Sequence, residues 1–243
     1  MSTILAIETS SELASCALLR GDLVISRDAS GVRTHSQSIL PMVQSLLEEA
    51  GIGLKDCDAI AYGCGPGSFT GVRTACGVAQ GLAFGAALPA VPVVTLDAMA
   101  LACRQQYQSD EIVALLDARM GEVYWAQYRY ADGWHAVVAP TLCAPQAVRP
   151  QETSPQGKRL SACGNGFAAY EAAFAGQDFA SGAHPGIMPH AIQVGQLARI
   201  AFAAGLALPP AQAQPLYLRN KIAFTSAERR DMQEAKAAAG AVL

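Results

Sequence analysis

The loop at residues 65–73, with the sequence GPGSFTGVR, contains residue types that could bind a phosphate or another anion. It follows an apolar, strand-like stretch at residues 59–63 and leads into a helix-like segment of small residues. Three glycines and a proline force a sharp turn, after which Ser68 or Thr70 could cap the helix. Backbone amides exposed at a helix start attract anions. The same pattern suits a turn that merely needs glycine, so the loop predicts an architecture first and a ligand second.

Three known phosphate-binding or catalytic motifs do not fit this loop. A Walker loop needs Lys and then Ser or Thr after its second glycine, but Val72 follows Gly71. A dinucleotide fingerprint would need glycine where Thr70 stands, and Pro66 has no amide to offer a pyrophosphate. A hydrolase nucleophile elbow would need the serine one position later than Ser68. The loop therefore matches none of these three motifs.

Two acidic residues lie at the turns of two similar strand–turn–strand patterns. Glu8 ends the first strand of one pattern (residues 4–9, then 15–19), and Asp117 ends the first strand of the other (residues 112–118, then 122–130). The repeat predicts two related lobes that face each other. Whether a ligand binds between them, or these residues only stabilise their turns, stays open from sequence alone. The candidate residues of a vestigial nucleotide cleft are Glu8, Thr9, Asp117, Arg119 and Gly164.

The cysteines and histidines do not form a metal-site pattern. The seven cysteines are odd in number and scattered, with no CxxC pair, which indicates small buried side chains rather than ligands. His184 and His190 are six positions apart and fit no zinc spacing. We therefore expect no metal and no cofactor.

The composition indicates that another subunit covers part of the apolar surface of this chain. Of its 243 residues, 51% are hydrophobic and only 15% are charged, and the net charge is −3. A typical domain has roughly 25% charged residues. Independent nucleic-acid binding is not expected, because phosphate neutralisation normally needs a basic patch. Without a signal peptide or a membrane-spanning pattern, the expected location is the cytoplasm.

Two helix patterns could form a surface for a partner. The first covers residues 35–50 and the second residues 70–84, where glycines at 77, 81 and 85 predict close approach of a neighbouring backbone. Such helices could pair in four-helix fashion with those of another chain, or both could face their own sheet. Further along, we expect a Pro-rich connection at 139–157, a strand–turn–helix at 161–167 and a helix at 190–204. The candidate interface residues are Ile39, Met42, Val43, Leu46, Leu47, Val72, Ala75, Ala79 and Leu82.

Four segments together resemble the TsaB family, the partner subunits in bacterial synthesis of threonylcarbamoyladenosine in tRNA. They are residues 4–10 (ILAIETS), 65–73 (GPGSFTGVR), 117–124 (DARMGEVY) and 215–219 (PLYLR). The resemblance implies an α/β, two-lobed ASKHA fold (actin-like, ribonuclease H-like) with duplicated lobes, which agrees with the repeated hairpin. The expected division is an N-terminal lobe at 1–107 with the dimerisation helices, a C-terminal lobe at 108–220, and a helical or disordered tail at 221–243.

The resemblance also implies a non-catalytic role. The catalytic paralogue of the family, TsaD, has a metal-binding His-x-x-x-His where this chain has Thr95 and Met99. Neither side chain replaces imidazole at an iron or zinc site. The paralogue's Ser-Gly-Gly-His turn is also absent, since residues 117–120 read DARM.

The partners implied by the resemblance are a TsaD-like catalytic paralogue, a TsaE-like ATPase and, when the chain is alone, a second copy of itself. tRNA would be bound only through the complex, where threonylcarbamoyl is transferred to adenosine 37 of tRNAs that read codons beginning with A. Two alternatives remain. One is an active ASKHA phosphotransferase or ATPase that uses Glu8 and Asp117 to place a metal-bound nucleotide. The other is a metallopeptidase, although no His-Glu-x-x-His motif occurs.

Overall fold

The computed structural model describes residues 2–30, 35–151 and 160–219, which form a mixed α/β structure around two sheets. The first sheet contains β1 (Thr3–Glu8), β2 (Leu13–Arg20), β3 (Leu23–Ser30), β4 (Ala59–Gly65) and β5 (Ala90–Val94), in the order β3-β2-β1-β4-β5. The second contains β6 (Glu111–Arg119), β7 (Glu122–Tyr130), β8 (Trp134–Cys143) and β9 (Ser161–Cys163), in the order β8-β7-β6-β9.

The helices cover both faces of the first sheet and continue as a layer between the two sheets. On one face of the first sheet lie α1 (His35–Ala50) and α2 (Phe69–Ala86), and on the other lie α3 (Thr95–Tyr107) and α6 (Ala191–Ala203). Helix α3 also packs on the second sheet, whose far face is covered by two short helices. These are α4 (Gly166–Ala169) and α5 (Glu171–Phe174).

The repeated hairpin that the sequence indicates is present in both sheets. β1 pairs antiparallel with β2 and parallel with β4, while β6 pairs antiparallel with β7 and parallel with β9. All six side chains of β1 are buried because alternate residues pack into helical layers on opposite faces: Leu5 and Ile7 toward α1 and α2, Ile4 and Ala6 toward α6. The predicted two-part α/β architecture is confirmed.

Two edge strands were not predicted from the sequence. β3 lacks a clear alternation of apolar and polar residues, and its side chains are mostly half-buried or exposed. β8 runs to Cys143 and so occupies the start of the stretch expected to be a Pro-rich connection at 139–157. Edge strands tolerate proline and polar residues because one side of their backbone has no sheet partner, so the hydrophobic signal is weak.

Helix α6 packs on the first sheet, which differs from the predicted assignment of residues 108–220 to a C-terminal lobe. Its small apolar side chains, Ala191, Val194 and Ala198, pack against β1, β2, β4 and β5. The Ala191 amide donates a hydrogen bond to Ser15 Oγ at 2.9 Å. The chain thus returns to the first sheet after completing the second. The predicted tail at 221–243 lies outside the described residues, and no helix within the described ranges is long and apolar enough to cross a membrane.

Candidate functional site

The glycine-rich loop packs directly on the turn that follows β1. Ser68 is the N-cap of α2, its Oγ accepting from the Gly71 amide at 3.4 Å, and its own amide donates to the Ser10 carbonyl at 2.7 Å. The Thr9 hydroxyl donates to the Gly71 carbonyl at 2.7 Å. A Cβ atom on Gly71 would lie 2.0 Å from the Thr9 carbonyl oxygen. Glycine is therefore required here by backbone contact, and Ser68 is confirmed as the cap.

Glu8, one of the two predicted cleft acids, is fully buried between its own turn and Gly63 of β4. Its Oε1 accepts from the Ser10 amide at 2.5 Å, whereas Oε2 has no hydrogen-bond partner within the described structure. Burial raises the pKa of this carboxyl, and hydrogen bonds from Ser10 only partly oppose the effect. A Cβ on Gly63 would occupy the position of Oε2. This carboxyl therefore stabilises the turn rather than facing a cleft.

Asp117, the second acid, is held in the turn between β6 and β7. Its Oδ1 accepts from the Arg119 amide at 2.7 Å and from the Tyr170 hydroxyl at 2.9 Å, and its Oδ2 lies 3.2 Å from Arg119 Nη1. The turn is unusual because Arg119 and Met120 have φ values of 62° and 59°, a left-handed conformation that non-glycine residues rarely adopt. The hydrogen bonds of Asp117 stabilise this backbone.

A pocket of about 580 Å³ lies between the two hairpin turns, and we call it the hairpin pocket. Of the predicted cleft residues it includes Asp117 and Arg119 but not Glu8, Thr9 or Gly164. Gly164 instead takes a φ of 110° in a tight turn after β9, where a Cβ would lie 2.1 Å from the Leu115 carbonyl. The pocket is lined by residues 10–12, 67–69, 72–73, 116–119 and 216–219, together with Tyr124, Asn165 and Met188.

One wall of the pocket belongs to a strap, residues 213–219, whose role was not predicted from the sequence. The Leu216 amide donates to the Cys64 carbonyl at 2.7 Å on the first sheet. At its other end Arg219 Nη2 donates to Glu122 Oε2 at 2.6 Å and to the Arg119 carbonyl at 3.2 Å, beside the second sheet. The strap therefore joins both sheets. Its sequence carries no regular periodicity, so only the resemblance of residues 215–219 could have drawn attention to it.

The described part of the chain holds no cluster of three or more potential metal ligands. Within residues 2–30, 35–151 and 160–219, no group of three or more His, Cys, Asp or Glu side chains could hold an ion. Thr95 and Met99 are both fully buried, and the Thr95 hydroxyl donates to Ser10 Oγ at 3.3 Å. All the cysteines except the half-buried Cys143 are buried, and burial raises the pKa of Cys16 and of Cys64 to about 12. These thiols are not poised to act as thiolates.

The predicted partner-facing residues of α1 and α2 require a correction. Their apolar stripes face the chain's own first sheet, because this packing removes the apolar side chains of both the helices and the sheet from water. Three side chains, those of Met42, Leu47 and Leu82, are only partly buried. The other six are buried and cannot contact a partner: Ile39, Val43, Leu46, Val72, Ala75 and Ala79.

The opposite faces of these two helices are open, and that of α2 is nearly uncharged. On α2 a Cβ at Gly77, Gly81 or Gly85 would meet nothing within 4 Å, so the expected close approach of a backbone is not found inside the described chain. Phe84 is 82% exposed on the same helix, and Leu40 of α1 is 51% exposed. Arg73 is the single charged residue in the 18 residues of α2. We call this outward surface of α1 and α2, including Leu40, Gly77, Gly81, Phe84 and Gly85, the open helix face.

Comparisons with known proteins give one consistent result. A family model described as TsaD, tRNA N6-adenosine threonylcarbamoyltransferase, matches residues 24–227. The tRNA threonylcarbamoyladenosine biosynthesis protein TsaB of Haemophilus influenzae is 37% identical over 94% of this chain and 98% of its own length. The protein of the same name from Escherichia coli is 38% identical over 91% of this chain and 96% of its own length. The solved structure of YeaZ from Pseudomonas aeruginosa is 36% identical and superposes with a TM-score of 0.82, covering 90% of this chain and 100% of that one.

Proposed function

The chain belongs to the TsaB family, and from this membership we propose that it is an accessory subunit in the synthesis of threonylcarbamoyladenosine in tRNA. The observation that carries the proposal is the identity of 37–38% over more than nine-tenths of the chain to two proteins named for that pathway. The two-sheet fold, which is ASKHA-like, agrees with it.

The role we propose is non-catalytic. Thr95 and Met99 occupy the positions where the TsaD-like catalytic paralogue would carry its metal-binding histidines, and both are packed in the core. Glu8 is buried against Gly63 of β4, and both oxygens of Asp117 are engaged by Arg119 of its own turn. These contacts argue against an ASKHA phosphotransferase or ATPase, which would need acids free to coordinate a metal-bound phosphate. Thr95 and Met99 also argue against a metallopeptidase, because neither side chain replaces imidazole as a metal ligand.

The partner we propose is the TsaD-like catalytic paralogue, bound through the open helix face. An 18-residue surface helix with one charge and three uncovered glycines permits close backbone packing against a second helix. Phe84 and Leu40 would supply apolar area at such a contact. The same face could hold a second copy of the chain when the paralogue is absent. In the complex, the TsaE-like ATPase and tRNA would join the pair, and threonylcarbamoyl would be transferred to adenosine 37 of tRNAs that read codons beginning with A.

Depletion of the chain in its own cells tests the pathway assignment. Bulk tRNA would be digested to nucleosides, and threonylcarbamoyladenosine would be measured by mass spectrometry. We expect the modified nucleoside to fall as the chain is depleted and to recover when the chain is expressed again from a plasmid. An unchanged content of threonylcarbamoyladenosine after complete depletion would contradict the proposal.

A further inference from the structure

The hairpin pocket has an apolar interior and a polar rim, and no part of the proposed accessory role uses it. Leu116, Val72 and Tyr124 line the interior, each less than one-tenth exposed, together with Met188 and the strap residues Leu216 and Leu218. Its volume of about 580 Å³ lies in the usual range of small-molecule sites, roughly 300–1,000 Å³. A pocket of this kind favours a ligand with an apolar body and one polar end.

The three arginines at the pocket rim differ in whether a carboxylate lies beside them. Arg119 lies 3.1 Å from Glu12 Oε1 and 3.2 Å from Asp117 Oδ2, so two carboxylates share it. Arg219 is paired with Glu122 at 2.6 Å. Arg73 differs, since no ion pair to a carboxylate is found for it in residues 2–30, 35–151 and 160–219.

Arg73 is nevertheless held in a fixed position. Its guanidinium carbon lies 3.7 Å from the centroid of the Phe69 ring and 5.6 Å from that of Tyr217, and its Nε donates to the Tyr217 hydroxyl at 2.6 Å. Aromatic faces orient a guanidinium without neutralising it, and this hydrogen bond leaves both terminal nitrogens for another acceptor. Arg73 is therefore a cation that its neighbours hold in one orientation at the rim of the hairpin pocket.

A second donor lies at the same end of α2. Ser68 also lines the pocket, and its Oγ accepts from the Gly71 amide, which leaves the hydroxyl hydrogen available to a ligand. A guanidinium can bind a carboxylate or a phosphoryl group through two hydrogen bonds, and a hydroxyl can add a third. We therefore infer that the hairpin pocket binds a small organic anion, whose carboxylate or phosphoryl group meets Arg73 and Ser68 while its apolar body fills the interior.

The inference goes beyond the accessory role and can be tested with the isolated full-length chain. The probes are phenylacetate for a carboxylate, phenyl phosphate for a phosphoryl group, and benzyl alcohol as a neutral compound of similar size. Titration calorimetry measures each dissociation constant, and saturation-transfer NMR shows whether the phenyl ring is in contact with the protein. We expect saturable binding of at least one anion with ring contact, and at least tenfold weaker binding of benzyl alcohol. The anion that binds more tightly identifies the head group.

Three variants test whether the anion binds in the hairpin pocket. Arg73→Gln should weaken anion binding at least tenfold, and Tyr217→Phe should weaken it severalfold because the ring remains but the hydroxyl that orients Arg73 is lost. Arg27→Gln removes the same charge from β3, where Arg27 pairs with Glu49, and should bind the anion as the unchanged chain does. Thermal unfolding of each variant verifies that the fold is retained.

Three results would overturn the inference. The first is no saturable binding of either anion, and the second is equal loss in Arg73→Gln and Arg27→Gln, which would indicate diffuse charge attraction. The third is tighter binding of AMP in the presence of Mg²⁺ that Arg73→Gln does not weaken, because that would indicate a nucleotide site elsewhere in the fold. The nucleoside measurement in depleted cells is independent of all three results.

Discussion

At the scale of single residues, Glu8 shows how a side chain typical of an active site can serve the fold instead. It ends a buried strand, as a catalytic acid often does, yet its carboxyl lies beneath the backbone of Gly63 and accepts from the Ser10 amide. Burial raises its pKa because a charged carboxylate is poorly solvated there. The sequence identified the residue and its place at the turn but could not indicate on which side of the turn its oxygens lie.

Replacing Glu8 by Gln should change how stability depends on pH. The folded pKa of Glu8 is raised above its ordinary value of 4.5, so its contribution is fully present below pH 4.5 and is lost as pH rises through the folded pKa. Gln has the same shape and stays neutral. We expect the free energy of unfolding of Glu8→Gln, measured by urea denaturation, to exceed that of the unchanged chain increasingly as pH rises above 4.5.

The control for this series is Glu171→Gln, which removes an exposed carboxylate of α5 and so reports the general effect of losing one charge. If the difference between Glu8→Gln and the unchanged chain stayed constant from pH 4 to pH 8, the proposed burial effect at Glu8 would be wrong.

At the scale of elements, α2 combines two kinds of glycine that the sequence cannot tell apart. Gly71 meets the backbone of Thr9, whereas Gly77 meets open space. The even spacing of residues 77, 81 and 85 predicted close approach of a backbone, but within the described chain that contact occurs at Gly71. A spacing pattern reports which residues share a helix face and not which neighbour covers that face.

Alanine substitutions should separate these two glycines. Gly71→Ala should lower the free energy of unfolding by about 1–3 kcal/mol, because its Cβ would overlap the Thr9 carbonyl. Gly77→Ala should raise it by up to about 1 kcal/mol, because alanine favours a helix and the site is uncrowded. Denaturant unfolding of both variants measures the two values, and equal effects of the same sign would contradict the packing of the loop on β1.

The long buried strands could be predicted from their continuous apolar runs, and the amphipathic helices from their periodicity. Helix α1 spans the predicted residues 35–50, and the turn between β6 and β7 lies where residues 119–121 were expected. The edge strands β3 and β8 and the packing of α6 were not predictable, because each depends on a partner distant in sequence rather than on a local pattern.

At the scale of the whole molecule, the apolar residues of this weakly charged chain lie in two kinds of place. Most of its apolar residues fill the helical layers on both sides of two sheets. Part of the remainder lies on the open helix face, where Phe84 and Leu40 are exposed. The sequence could predict that some apolar surface needs a cover, but it assigned to that surface side chains that belong to the core.

Substitution by arginine should distinguish the open helix face from the core. Gly81→Arg places a long charged side chain on the open face and should abolish pairing with the catalytic paralogue while the melting temperature stays nearly unchanged. Ala79→Arg, two residues away, should unfold the chain because Ala79 is fully buried. Co-elution in size-exclusion chromatography and thermal unfolding measure the two effects.

Ile200→Arg is the matched control for Gly81→Arg, since it adds the same charge to an exposed position of α6 on the opposite face of the first sheet. It should leave pairing intact. Loss of pairing in Ile200→Arg, or its persistence in Gly81→Arg, would show that the paralogue binds elsewhere.

The most direct test of the accessory role is reconstitution of threonylcarbamoyl transfer to tRNA with the catalytic paralogue, the ATPase and increasing amounts of this chain. We expect no product from the chain alone and a rate that rises with added chain until each paralogue has its partner. With Gly81→Arg in place of the unchanged chain, the rate should stay at the background level. Product formed by the chain without the paralogue, or a full rate in the absence of the chain, would contradict the account.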